Sequence, residues 1–264
     1  MRHHVKLIQH FVRASLQQET AYRANFFIGL LHALLNVGTG ALGVMVLFGQ
    51  VETVRGWDFP AALAVLGIYL TVSALRDLFI APSLDALGGL DGMIWSGRLD
   101  YALLRPVHLQ FLVTFQQWRL FSLFDLALGL GVLGAAATRL SPPLTPERLA
   151  ACLILLCAGM MILYAILLAF TGLMFWSPGV LFTWVFNGIF QMARYPVGLY
   201  PGWLRLALTW VIPVGVIVTV PAEALAGSLP TGALLGSPAL AGALFVGASA
   251  LFRAGVRRYA SASS

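Results

Sequence analysis

Apolar residues along this chain come in long blocks separated by short polar stretches, and the block lengths set the first expectation. A helix needs roughly 20 mainly apolar residues to cross about 30 Å of hydrocarbon. Blocks on that scale lie at about 25–48, 60–80, 111–138 and 149–175, with shorter ones at about 180–192 and 238–252. Lipid offers the backbone no hydrogen-bond partners, so crossing segments are helices or closed barrels. The alternating pattern of barrel strands is absent, and the blocks are therefore predicted as helices. Between 193 and 236, two further apolar pieces are interrupted by Pro196, Pro201, Pro213 and Pro221, with Arg205 and Glu223 among them.

The first 23 residues have a different pattern. At 100° per residue, Val5, Ile8, Val12 and Leu16 share one sector, with Arg2, Lys6 and Arg13 in a neighbouring one. This predicts an amphipathic helix lying in the membrane interface; an ordinary solvated helix is the alternative. No apolar core follows the early charges and no small-residue cleavage site appears, so a signal peptide is not expected. The domain reading is an interfacial helix over 1–23 and a single membrane domain over 24–264, all-α, with six spans.

Composition agrees with the pattern. Of 264 residues, 59% are hydrophobic and 10% charged, and the mean hydropathy is +0.87. A soluble domain carries about 25% charge. The net charge of +6 comes from 16 basic residues, all but Lys6 arginine, against 10 acids. Most of these arginines flank the apolar blocks, which points to topology and anionic headgroups rather than to nucleic acid. Arg2, Lys6, Arg13 and Arg23 precede the first span, Arg98 and Arg105 follow the second, and Arg253, Arg257 and Arg258 follow the last. This asymmetry puts both termini and the 82–107 loop in the cytoplasm. Two basic ends on one side require an even number of crossings. Residues 195–222 are therefore read as a re-entrant hairpin on the outer side; a seventh crossing over 203–220 is the competing reading.

Candidate chemistry is sparse. Neither a Gly-x-x-x-x-Gly-Lys-Ser/Thr phosphate loop nor a His-Glu-x-x-His or Gly-x-Ser-x-Gly motif occurs, so no ATPase, metal or hydrolase site is expected in this chain. Cys152 and Cys157 share one apolar block and read as packing residues. Ionisable residues inside a membrane are costly and count as functional candidates. Arg119 and Asp125 lie within the third block, and Arg76 and Asp77 near the end of the second. For the latter pair, snorkelling to headgroups is the simpler reading; for Asp125, a structural pair between helices is the alternative to function. Glu223 follows Pro221 at what reads as a helix start, where a carboxylate caps free amides. Small residues recur four apart at Ala127, Gly131 and Ala135 and at Ala239, Ala243 and Gly247, a spacing that lets helices pack closely or subunits meet.

Two segments carry a family resemblance. The 82–107 loop contains Gly97-Arg-Leu-Asp-Tyr-Ala-Leu-Leu-Arg-Pro106. A later stretch reads Arg194-Tyr-Pro-Val-Gly-Leu-Tyr-Pro-Gly-Trp-Leu-Arg205, followed by Ile212-Pro-Val214 and Pro221-Ala-Glu223. Together they resemble the ABC type-2 transporter permeases, in particular the six-span export branch, over nearly the whole chain. The resemblance implies a permease subunit of an exporter in a bacterial inner membrane. It also implies that Asp91, Arg98, Asp100, Tyr101, Arg105 and Pro106 belong to a loop docking on a soluble ATPase dimer. Arg194, Tyr195, Pro196, Tyr200, Pro201, Pro213, Pro221 and Glu223 would form the outer re-entrant segment. ATP and Mg²⁺ would be held by the partner, with no cofactor in this chain, and a second permease, a paralogue or another copy, would complete the pathway. An ion-gradient-driven transporter using Asp125, a membrane-embedded enzyme and a non-transport assembly protein are the readings set against it.

Overall fold

The structure, a computed structural model, describes residues 2–21, 23–88, 92–94, 96–141, 143–177 and 182–259. Asp91 lies outside them. Helix α1 spans Arg2–Ala21 and α2 Arg23–Phe48. A two-residue hairpin, β1 (Thr53–Val54) against β2 (Trp57–Asp58), turns at Arg55 and Gly56 with φ of 49° and 82°. Both positive angles suit the turn type that matches strand twist. Helix α3 then runs Phe59–Asp85. The Asp58 carboxylate accepts the Ala61 amide at 2.9 Å, capping the helix, and Pro60 occupies its first turn, where the missing N–H costs nothing.

Helix α3 is apolar on all sides and therefore central. Ala62, Val65, Leu66, Ile68 and Val72 have no exposed surface. It packs on a later helix, α6 (Ser122–Ala137), backbone to backbone. A Cβ on Gly67 would stand 2.7 Å from the Leu133 Cα, and one on Gly129 would stand 2.8 Å from the Thr71 nitrogen. Helices α7 (Pro146–Leu173) and α11 (Ala233–Arg258) form a second close pair, where a Cβ on Gly255 would lie 2.8 Å from the Gly172 carbonyl. The regular four-residue stripes expected to pack do not do so here. Ala127, Gly131, Ala135, Ala239, Ala243 and Gly247 are all exposed, and the contacts go through Gly67, Gly129, Gly172 and Gly255. Glycine is needed where backbones touch, and regular spacing alone does not say which face that is.

Among the described residues, four helices are long and apolar enough to cross a membrane: Phe26–Phe48, α3, α7 and α11. The third expected span is broken in two. Helix α5 (Leu109–Phe115) ends at Gln116, the chain runs irregularly to Phe121, and α6 follows. The fifth block is also short, a nine-residue helix α8 (Phe182–Phe190) continued by one 3₁₀ turn over Gln191–Arg194. The proline-rich region forms α9 (Gly202–Val211) and α10 (Gly215–Ala226), bent by 80° at Pro213. The structure is thus an all-helical membrane architecture apart from the small hairpin.

The break between α5 and α6 has every amide from 117 to 120 satisfied, as a dry environment demands. Gln117 donates to Ser83 Oγ at 2.8 Å and its carbonyl accepts that hydroxyl at 2.9 Å. Trp118 N donates to Ser15 Oγ at 3.1 Å and Leu120 N to Glu19 Oε2 at 3.0 Å, both on α1. Arg119 N donates to the Leu78 carbonyl at 2.9 Å. That carbonyl is available because its usual partner four residues on is Pro82, which has no N–H. A π-helical turn at Arg76–Ile80 carries α3 past this proline, and a second one at Gly215–Thr219 does the same for α10 before Pro221.

Helix α1 therefore packs through Ile8, Phe11, Ser15 and Glu19, whereas Leu16 is 46% exposed and Lys6 and Arg13 face outward. Of the apolar sector read from the sequence, Ile8 lies on the packed face and Leu16 off it, because capping the break places two polar residues there. Burial pushes the Glu19 carboxyl above its usual range, opposed by the Leu120 and Phe121 amides and the Arg119 charge. Folded Glu19 thus holds its proton more tightly than the unfolded chain does. Its stabilising contribution is full below the ordinary carboxylate pKa and is lost as pH rises through the raised value. In a Ser15→Ala/Glu19→Ala variant, amide exchange at 118 and 120 is expected to rise at least tenfold by hydrogen–deuterium exchange, with α7 unchanged. Equal protection in variant and parent would show that the α1 contacts do not hold the break.

Candidate functional site

Polar groups gather at three levels along the bundle. At one end the chain leaves α3 and forms the short helix α4 (Arg98–Leu103). Gly97 starts it with φ of 67°, and the Leu99 amide bonds the Met93 carbonyl at 3.0 Å. Leu99 and Ala102 are buried and anchor the helix, while Tyr101 is 73% and Leu104 82% exposed, beside exposed Arg105 and Pro106. Arg98 Nε bonds Ser96 Oγ at 2.9 Å. A depression of about 240 Å³ between Arg98, Tyr101, Arg105 and Gln116 adjoins this face. A firmly anchored helix turning two large apolar side chains outward is built to meet another surface. Asp100 is half-buried at its base.

The second level lies within the bundle. Arg76 bridges Asp77 at 2.9 Å, donates to Asn187 Oδ1 at 2.9 Å and lies 5.9 Å from the Phe190 ring. Phe190 packs on Tyr69 with centroids 5.4 Å apart, and Arg194 covers the other end of this stack, 5.5 Å from the Tyr69 ring. The Arg194 guanidinium also donates to Asn36 Oδ1 and to Thr39 Oγ1. The result is an arginine–aromatic–aromatic–arginine ladder between α2, α3 and α8. Arg76 is held inside the bundle rather than snorkelling, and Arg194, at the start of the second motif, takes part in this ladder. Sequence reading passed over Asn36 and Asn187; an amide inside an apolar block was the available signal, since such a group needs a partner there.

Beside the ladder, α1, α2, α3 and the start of α6 line a partly open cavity of about 750 Å³. Glu19, His32, Asp77, Arg119 and Asp125 reach it, and Ile28, Val37, Leu70 and Phe121 supply apolar wall. The break places Asp125 one turn into α6 rather than deep in a continuous span. It forms no ion pair with any described residue, so the structural pair weighed against a function for it is not seen.

At the far end of α3, a recess of about 380 Å³ is lined by Arg55, Trp57, Tyr200, Gly202, Arg205 and Glu223. Both arms of the bent pair, through Gly202 and Arg205 on α9 and Glu223 on α10, thus line one place. Arg55 Nη1 donates to the Tyr200 carbonyl at 2.7 Å, and the Tyr200 hydroxyl donates to the Met192 carbonyl at 2.8 Å. Trp57 lies against Gly198, tying the hairpin to this segment. Pro196 and Pro201 flank the 3₁₀ turn Val197–Leu199, and Tyr195 rests on Gly43 of α2. Glu223 does not cap a helix start, because α10 already begins at Gly215 and no free amide remains at that position.

Over residues 34–263 the chain matches the family described as ABC-2 family transporter protein. It belongs to that family. No curated protein and no solved structure matches it. The family and the apolar helices together make this an integral membrane protein and the membrane component of a transporter. Members of this permease family do not carry the ATPase themselves and work with an ATP-binding subunit.

Proposed function

We propose that this ABC-2 permease is one half of the membrane part of an exporter and couples to its ATPase through α4. The observation that carries the reading is the face of α4, where Leu99 and Ala102 fix the helix and Tyr101 and Leu104 stand out of it. The ATPase dimer supplies ATP and Mg²⁺; this chain contributes positioning and the pathway. The 82–107 loop and both termini lie on the ATPase side of a bacterial inner membrane. α1 lies at the interface with Lys6 and Arg13 towards headgroups.

On the opposite side, α9 and α10 enter and leave from the outer surface, so that α5 with α6, and α8 with its 3₁₀ turn, complete six crossings. Support comes from both arms of the bent pair lining the recess at Arg55 and Trp57. The exposed stripes at Ala127, Gly131 and Ala135 and at Ala239, Ala243 and Gly247 suit close approach by the second permease subunit.

Purification of the tagged chain from native membranes in mild detergent is expected to bring down a soluble protein that hydrolyses ATP and carries the Gly-x-x-x-x-Gly-Lys-Ser/Thr loop. Recovery of the chain without such a partner, under conditions that preserve other ABC complexes of the same membrane, would overturn the assignment.

A further inference from the structure

The cavity between α1, α2, α3 and α6 has a charge pattern that the transport reading leaves unused. Three carboxylates and one guanidinium reach it, together with His32. Two of the carboxylates are engaged: Asp77 by Arg76 at 2.9 Å, and Glu19 by the Leu120 amide at 3.0 Å. Asp125 is not, and Arg119, exposed at the rim, forms no ion pair with it. An ionised carboxylate in a membrane domain is costly without a partner. Part of the wall is apolar, from Ile28, Ala33 and Val37 on α2, Leu70 on α3 and Phe121 before α6, alongside polar Asn36, Ser73 and Ser122. The volume of about 750 Å³ falls within the usual roughly 300–1,000 Å³ of small-molecule sites.

We propose that this cavity binds an amphiphile whose polar end carries an ammonium group, with the Asp125 carboxylate as its counter-ion and the apolar wall taking its alkyl part. A carboxylate- or sulfate-headed amphiphile would instead meet Glu19 and Asp125 against Arg119, Asp77 being already paired with Arg76. Arg119 at the rim leaves room for a zwitterionic head, so a bilayer phosphoethanolamine lipid and a soluble cationic amphiphile share the recognition chemistry. The inference names a substrate class for the proposed exporter and rests on that reading for its meaning; the binding itself does not require the ATPase.

The test uses the purified full chain in neutral dodecyl maltoside micelles, with a diazirine-bearing dodecylamine and a diazirine fatty acid of equal length. After photolysis, labelled peptides are mapped by mass spectrometry. The amine is expected to mark residues 28–37 and 117–125 at least five times as heavily as the acid. Asp125→Asn should reduce amine labelling to the level of the acid, and Asp125→Glu should retain it. Gly29→Leu gives a variant that does not depend on charge. A Cβ there meets nothing within 4 Å, so the new side chain enters the cavity without a clash and should block labelling. Equal labelling by the acid, or amine labelling that survives either Asp125→Asn or Gly29→Leu, overturns the site. A photoreactive phosphatidylethanolamine separates the two sources, since labelling by it identifies the bilayer lipid and its failure alongside a labelling amine identifies a soluble amphiphile. If the amine labels the cavity but no ATPase partner is recovered, the exporter reading falls and the site stands; the reverse result removes the site alone.

Discussion

Leu104→Asp together with Tyr101→Asp is expected to abolish recovery of the ATPase with this permease, while the variant still inserts and purifies at parental yield. Leu104 and Tyr101 are 82% and 73% exposed, so changing them disturbs nothing inside the chain, and the helix stays anchored by Leu99 and Ala102. Interface anchors of this type contribute about 2–4 kcal/mol each on truncation. Even the lower figure for the pair, about 4 kcal/mol, weakens binding roughly a thousandfold. A buried carboxylate in an apolar groove adds a desolvation cost. The measurement is co-purification with stimulated ATP hydrolysis as a second readout. Unchanged recovery and stimulation would exclude α4 as the coupling element. Val51→Asp, at an exposed position in the loop after α2 and outside the spans, serves as the control and should leave the partnership intact.

The second large effect is on stability and contrasts two glycines two residues apart on α6. Gly129→Ala is expected to destabilise the folded chain by about 1–3 kcal/mol, the usual cost of overpacking, and Gly129→Leu to prevent recovery of folded protein. The obstruction is the Thr71 nitrogen at 2.8 Å and the Leu70 carbonyl carbon at 3.0 Å, both backbone and part of the best-buried helix. Gly67→Ala should behave likewise, since it meets the Leu133 backbone. By contrast, Gly131→Ala has nothing within 4 Å. It should gain the few tenths to about 1 kcal/mol by which alanine exceeds glycine in a helix interior. Thermal unfolding of the two single variants in detergent, followed by loss of monodisperse protein, gives the comparison. Equal midpoints would mean that α3 and α6 are not in backbone contact.

These two glycines also mark where sequence reading succeeds and where it stops. The apolar blocks placed α2, α3, α7 and α11 correctly, because span length and composition are properties of the segment itself. The four-residue stripes were visible too, but their facing depends on which helix comes to lie beside them. For α6 that choice fell on Gly129 and left Gly131 outward. The break at Gln116–Phe121 was hidden for a related reason. No proline or glycine occurs there, and the segment is held by Ser83, Ser15, Glu19 and the Leu78 carbonyl, all more than 30 positions away. Pro82 was the available clue, but it shows only that a carbonyl is freed, not which amide will use it. At the site level, the 97–106 motif fixed a real element with a buried and an exposed face. Arg194 was noticed for its place in a second motif, yet its partners Asn36, Thr39 and Tyr69 come from two other helices.

The break has a mechanical meaning. Helix α5 is fastened to α7 and α11, with Gln110 Nε2 donating to Ser249 Oγ at 3.0 Å and the Thr114 and Tyr164 hydroxyls 2.8 Å apart. Helix α6, beyond the break, is fastened to α3 by glycine contacts. The two halves of one expected span are therefore tied to different neighbours, and the six residues between them carry the change of partner. Helix α1 is the strap laid across that join, fastened by one hydroxyl and one carboxylate.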